Sequence, residues 1–367
     1  MRYKFSDLYC DDTKNAKKLK SSEYKNVGKY IIVDQGKSLI AGYTDIEDGL
    51  YTDVPAIIFG DHTRNIKYIY SPFFLGADGT KVLKSPLKNV NYKYLYYLLK
   101  NASIPDTGYN RHFKWVKELM FKYHSQEQQN QIVTILDKLD STIIKYREEL
   151  SLLDELVRAR FVEMFGDPLR NNRLWNIGVL KDVCTKIGSG STPRGGKESY
   201  IDEGISLIRS MNIHNEYFEY KDLAHITLDQ AEKLNNVVVE HDDVLFNITG
   251  ASVARCCVVP VDVLPARVNQ HVCILRCREK MNPVFLQGLL VNENYQDKLL
   301  QIAKSGATRE AINKQQLESL EIMLPPLELQ NQFASFVQEV DKSRSRIQKS
   351  LEASRELFDS LMQEYFG

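Results

Sequence analysis

Glu127-Gln-Gln-Asn-Gln-Ile132 returns as Glu328-Leu-Gln-Asn-Gln-Phe333, and Phe165-Gly166 returns as Phe366-Gly367. Both matches carry one offset, 201 residues, with no gap between them. Aligned on it, residues 127–166 and 328–367 share 11 identities in 40 positions, among them Asp140 with Asp341, Leu150 with Leu351 and Glu155-Leu156 with Glu356-Leu357. Identity of that density at a fixed offset marks a duplication.

The two copies also share a period. Apolar residues fall at Ile132, Leu136, Leu139, Ile143, Tyr146, Leu150, Leu153 and Val157, in steps of four and three. That is the heptad seam of a coiled coil. Phe333, Val337, Val340, Ile347, Leu351, Phe358, Leu361 and Tyr365 keep the register, with Arg344 and Ser354 interrupting it. Neither copy contains Pro or an internal Gly, so each predicts one unbroken helix, roughly 60 Å long at 1.5 Å per residue. The expectation is that the two pair, parallel or antiparallel, through Leu136, Leu139, Ile143, Leu150 and Leu153 on one and Val337, Val340, Ile347, Leu351 and Phe358 on the other. Burial on separate domains is the plainer reading of such a period, but it leaves the shared register unexplained.

Outward from the helices, the lead-ins agree. Met323-Leu-Pro-Pro-Leu-Glu328 ends a strand and starts a helix. Ser125 in Tyr123-His-Ser-Gln-Glu127 is placed to cap the first helix, and Gly166-Asp-Pro168 stops it. The division is a globule at 1–122, a helix at 123–166, a second globule at 167–323 and a second helix at 324–367. The globules are much less alike than the helices. Each reads as short strands and helices: Pro55–Gly60 and Asp243–Asn247 as buried strands, Tyr92–Leu99 and Pro283–Val291 as helices. The fold class is α+β, two α/β globules with two long helices pairing as a coiled-coil stalk on a pseudo-twofold plan.

A chain of 367 residues with 43% apolar and 26% charged residues is an ordinary globular chain of two or three domains. It has no run of 18 apolar residues and no apolar leader core, so no membrane span or export is expected. Six cysteines are too few for a disulfide scaffold, and a cytoplasmic protein with reduced thiols is expected. The net charge is zero but unevenly shared: residues 1–122 carry +7, while 123–166, 167–326 and 327–367 carry −3, −2 and −2. The first globule suits a polyanion on charge alone; the second needs its cations clustered.

Gly188-Ser-Gly-Ser-Thr-Pro-Arg-Gly-Gly-Lys197 imitates a phosphate loop, but Lys197 precedes Glu198 rather than a magnesium-holding hydroxyl, and Pro193 removes a cradling N–H. It is read as a loop touching DNA phosphate through Ser189, Thr192, Arg194 and Lys197, or as a plain connection. Cys256, Cys257, Cys273 and Cys277 lie near His271 but lack zinc spacing, so they read as small buried residues and no metal is expected. No catalytic triad, paired carboxylate or Gly-x-Gly-x-x-Gly is present, nor the Asn/Asp-Pro-Pro-aromatic loop of amino-methyltransferases. No catalytic residue is assigned.

Polar residues suited to base edges or phosphates concentrate in a few turns. In the first globule they are Gln35, Lys37, Arg64, Lys67, Tyr109, Arg111 and Lys114. In the second they are Arg209, Asn247, Arg255, Asn269, Gln270 and Arg309, beside the four of the Gly-rich loop. Arg267 also sits near a strand end or turn.

These features together resemble the specificity subunit of type I restriction-modification systems, over essentially the whole chain. The resemblance is carried by the two helical repeats, by Ile322-Met-Leu-Pro-Pro-Leu-Glu-Leu-Gln330, by Gly188-Ser-Gly-Ser-Thr-Pro193, by Asp243-Val-Leu-Phe246 with Thr249-Gly-Ala-Ser252, and by Gly306-Ala-Thr-Arg309. Gln35-Gly-Lys37 with Ala41-Gly-Tyr-Thr-Asp45 is similar to first-domain variants, and Tyr123-His-Ser125 departs from the usual Leu-Pro-Pro-like lead-in. The resemblance implies two target recognition domains, each reading half of a bipartite site in double-stranded DNA, with the helices as spacer. It implies two modification subunits that transfer methyl from S-adenosylmethionine to adenine, and restriction subunits driven by ATP and Mg, so that this chain binds no cofactor itself. Because the globules differ, the target is expected to be asymmetric, and a heptad added to or removed from the first helix should change the spacer alone. The alternatives are a non-DNA two-domain coiled-coil scaffold and a self-sufficient methyltransferase.

Overall fold

Ser125 opens the first long helix in the computed structural model, which describes residues 2–108, 110–193, 195–305 and 310–367. Its hydroxyl accepts from the Gln128 amide at 3.4 Å while Gln128 Oε1 accepts from the Ser125 amide at 3.2 Å, a reciprocal cap. The helix runs unbroken over Gln126–Phe165, and the last helix over Leu327–Phe366, directly after Pro325-Pro326. Each has 40 residues, as the period required.

The chain divides into two units, residues 1–148 with 348–367, and residues 149–347. The boundary falls inside both long helices. Each globule takes the near half of one helix and the far half of the other.

Within each unit those halves run antiparallel. In the first, the Tyr94 ring packs against His124 and Phe366, while Tyr97 binds Asp137 and packs on Phe358. Residue number rises on one helix as it falls on the other. In the second, Phe333 meets Phe161 and Phe165, and Arg344 binds Asp154 at 2.7 Å. Leu136, Ile143, Val340, Leu351 and Phe358 are buried, and Leu139, Leu150, Leu153, Val337 and Ile347 half-buried. Arg344, one of the two residues that interrupt the heptad seam, makes this ion pair.

In the first unit β1 (Arg2–Lys4) pairs with β9 (Met120–Lys122) just before the long helix. A four-stranded sheet orders β2 (Cys10–Asp11), β8 (Thr80–Lys84), β5 (Ala56–Gly60) and β6 (Ile66–Ile69). A three-stranded sheet orders β4 (Gly42–Thr44), β3 (Tyr30–Val33) and β7 (Phe73–Leu75), with β3 and β7 parallel. The second unit repeats this plan with one more strand, β14, in the sheet that holds the parallel pair. β10 (Asn176–Val179) pairs with β19 (Glu321–Leu324) before the last helix. One sheet orders β11 (Cys184–Ser189), β18 (Val272–Cys277), β15 (Val244–Asn247) and β16 (Cys256–Val258). The other orders β13 (Ala224–Ile226), β12 (Ile205–Ile208), β17 (Ala266–Val268) and β14 (Val238–Val239), with β12 and β17 parallel. The duplication therefore extends to the globules, where side-chain identity conceals it.

Strands buried on both faces make the core of the second unit. Cys256 enters the cluster with Phe246, Phe285, Phe161 and Phe333, while Cys257 enters the cluster between the two sheets with Leu245 and Ile274. Adjacent strand residues point to opposite faces, so the cysteine pair serves two cores. Phe161, Phe165, Phe285 and Phe333 are almost fully buried; at about 1.5–3 kcal/mol each, they weld the helices to the globule.

The repeated Gln-Asn has a structural reason. Asn91 caps the helix Tyr92–Lys100 and donates to Asn130 at 3.0 Å; Asn282 caps the helix Pro283–Val291 and donates to Asn331 at 2.9 Å. Beside them, buried Gln129 donates to the His124 carbonyl and buried Gln330 to the Pro325 carbonyl, each at 2.8 Å. The repeat clasps each long helix to its own globule.

Candidate nucleic-acid interface

Four segments of the first unit meet at the ends of its strands: the exit from β3, the β5–β6 hairpin, the β7–β8 turn and residues 101–108 with 110–112. Gln35 joins three of them. Its Nε2 donates to the Asp78 carbonyl at 2.8 Å, its Oε1 accepts from the His62 amide at 3.1 Å, and its own carbonyl accepts from Asn65 Nδ2 at 2.9 Å. Asp61 joins the fourth, accepting from the His112 amide on its carbonyl and the Phe113 amide on its carboxylate, both at 2.8 Å.

Three of the expected DNA contacts take part in this bracing. Gln35 is spent on the loops it ties. Arg64 donates to Asp106 at 2.5 Å and to the Ile104 carbonyl at 3.3 Å. Lys67 has a side chain only 5% exposed, with its ammonium on the Ser38 carbonyl at 2.5 Å and Asp34 at 3.4 Å. Burial lowers its pKa. Polar groups at strand ends need partners once buried, and these three supply them. Lys37, Arg111 and Lys114 are exposed and in no ion pair among the described residues, with the Lys114 ammonium 4.8 Å from the Trp115 ring. Tyr109 lies outside the described residues.

The corresponding end of the second unit is built alike. Asn247 is fully buried, and its Nδ2 donates to the Ser210 carbonyl at 2.9 Å. Asn269 is buried too, its Oδ1 accepting from the His271 amide at 3.0 Å. Both are among the expected base contacts; here both are buried inside the loops, bonded to the Ser210 carbonyl and the His271 amide. Arg209 donates to the Asp222 carbonyl and lies 5.5 Å from the Tyr200 ring. Arg267 is inside β17, with Nε on the Ala231 carbonyl at 3.1 Å. Gly190 follows β11 where any side chain would strike the Val268 carbonyl, so its glycine serves packing rather than a phosphate cradle.

A polar row crosses the surface that remains. The Thr192 hydroxyl binds Gln270, Gln270 meets His271 Nε2 at 3.2 Å, and His271 Nδ1 meets the Thr249 hydroxyl at 2.6 Å. Beside it opens a cleft of about 860 Å³, lined by Thr249, Ser252, Arg255, His271, Glu310 and Met211 among others. Gly250, at φ +78°, makes the turn that forms one wall. Ser189 and Lys197 are exposed nearby in sequence, and Arg194 and Arg309 lie outside the described residues. Glu310 was not singled out from sequence. It arrives through backbone pairing, Gly250 to Glu310 and Ile312 to Ile248 at 2.9 Å, which no local pattern announces.

Among the described residues no three His, Cys, Asp or Glu are grouped to hold a metal ion, and no helix is long and apolar enough to cross a membrane.

The sequence profile described as "Type I restriction modification DNA specificity domain" matches residues 6–152 and again 172–354. The specificity subunit of the Escherichia coli enzymes EcoR124I/EcoR124II is 20% identical over 361 residues, 92% of this chain and 86% of that one. The putative MjaX specificity subunit of Methanocaldococcus jannaschii is 25% identical over 195 residues, 52% of this chain; the match spans 45% of that relative's length. Among solved structures, the S subunit from M. genitalium superposes with a TM-score of 0.67 at 15% identity, covering 100% of this chain and 96% of that one. A chain from a type I R-M system, solved for its complex assembly and conformational transition, superposes at 0.53 with 16% identity, covering 100% and 97%.

Proposed function

The chain belongs to the type I restriction-modification DNA specificity family, and on that premise we propose that each unit reads one half of a split target in double-stranded DNA. The observation that carries this reading is the pairing of one topology with two different loop surfaces. The scaffold is duplicated down to its Asn-Asn clasps, while the strand-end loops present different side chains: exposed Lys37, Arg111 and Lys114 on one, and Arg255, Glu310 and a Thr–Gln–His–Thr row on the other. Phosphate contacts position such a surface and groove contacts specify it. Two unlike surfaces read two unlike half-sites.

The paired helices set the length of unread DNA between the half-sites and dock two modification subunits. Those subunits bring S-adenosylmethionine and methylate adenine. Restriction subunits bring ATP and Mg. This chain supplies neither reaction and works in the cytoplasm. The absence of an amino-methyltransferase loop from its sequence supports that division of labour.

Selection from a random duplex pool by the chain assembled with its modification subunits tests the reading. Two short fixed blocks of different sequence, separated by a constant unread interval, are expected. Enrichment of one contiguous block, or none, would overturn it.

A further inference from the structure

The β15–β16 hairpin of the second unit and the β5–β6 hairpin of the first close with the same pattern of hydrogen bonds, over seven intervening residues in one and four in the other. The Asn247 amide donates to the Arg255 carbonyl as the Gly60 amide does to Asn65, all at 2.8 Å, and Ala254 returns to Asn247 as Arg64 does to Gly60. Ala254 and Arg64 both take positive φ, 70° and 60°. Their side chains are used differently. In the first unit the hairpin is tied down: Arg64 is held by Asp106, and Asn65 Nδ2 by the Gln35 carbonyl. In the second unit Arg255 is half-buried in the wall of the 860 Å³ cleft, with no ion pair and no side-chain hydrogen bond among the described residues. Glu310 lines the same cleft, is half-buried, and makes no ion pair with Arg255 or any other described residue.

A half-buried guanidinium and a half-buried carboxylate left apart in one cleft are costly to desolvate without partners. A phosphate answers only the first and is repelled by the second. The described lining holds Arg255 as its one Lys or Arg, whereas backbone-binding sites gather several cations. A G·C base pair answers both: guanine offers O6 and N7 to the arginine fork, and its cytosine offers the N4 amino group to a carboxylate.

We propose that this cleft reads one G·C base pair of the second unit's half-site, Arg255 on guanine and Glu310 on cytosine. Arg64 in the first unit, though it lies in the matching hairpin, reads no base. The inference rests on the DNA-reading function above.

The test is the adenine methylation motif written in a host by the modification subunits with the wild-type chain, Arg255→Ala, Arg255→Lys, Glu310→Ala or Arg64→Ala. Arg255→Ala and Glu310→Ala should relax the same single G·C position in one half-site, by roughly ten- to a hundredfold in preference, and leave the other half-site unchanged. Arg255→Lys should relax it too, because a point charge lacks the bidentate fork. Arg64→Ala should relax no position. Thermal melting of each purified variant separates misfolding from lost readout. If Arg255→Lys keeps full methylation while Arg255→Ala lowers it at every site without changing the motif, Arg255 is a phosphate anchor and the proposal is overturned. An unchanged motif in Arg255→Ala overturns it as well. If the wild-type chain itself directs no motif, it is the DNA-reading function that fails.

Discussion

Gln330 shows how much one buried amide does. Its Oε1 accepts from the Asn282 amide at 2.9 Å and its Nε2 donates to the Pro325 carbonyl, so it fixes the helix start and the neighbouring helix cap together. Its repeat mate Gln129 makes only the second kind of bond, and its Oε1 is buried without a partner. Gln330→Ala leaves the half-buried Asn282 amide unpaired, and should cost about 1–3 kcal/mol; Gln129→Ala should cost less, because it abandons one bond and removes an orphaned acceptor. Denaturant midpoints of the two variants check the ranking. Glu216 adds a pH dependence. Burial raises its carboxyl pKa above the usual 4.5; Asp154 and Asp341 push the same way, while Arg158 and Arg344 oppose. The native state thus binds this proton more tightly than the unfolded chain, and stability falls as pH rises through the raised value. Glu216→Gln should raise the melting temperature at pH 7, and the gain should vanish below pH 4.5. A gain that persists in acid would contradict this sign.

At the scale of elements, the long helices were legible because their period is local: seam spacing, the Ser125 cap and the Pro-Pro lead-in each act within a turn or two. Their direction was not legible. Antiparallel pairing depends on Phe366 meeting Tyr94 and Phe333 meeting Phe161 and Phe165, contacts set by the globules. It also changes the engineering expected of the spacer. A heptad added to the first helix alone would shift every later seam residue against an unchanged partner. Seven residues inserted after Glu148 and seven after Ile347 keep both registers and both clasps. At 1.5 Å per residue they add about 10 Å, or about three base pairs of B-DNA. The methylated motif of this variant should keep both half-sites and gain that interval; altered half-sites would show that the helices do more than measure.

For the whole molecule, sequence revealed the duplication only where coiled-coil packing restricts side chains. In the globules the same strand order recurs with different residues, because sheet pairing accepts many apolar choices while loops are free to diverge. Functional residues were harder still. Lys67, Asn247 and Asn269 have the right chemistry for DNA but are buried braces, and Glu310 reaches the cleft from 55 positions beyond Arg255. One chain holds two different readers. The adenine methylome of a host carrying the modification subunit, with and without this chain, tests it most directly. One split motif with unlike halves, appearing only with the chain, is expected. A palindromic motif, or two identical methylomes, would contradict it.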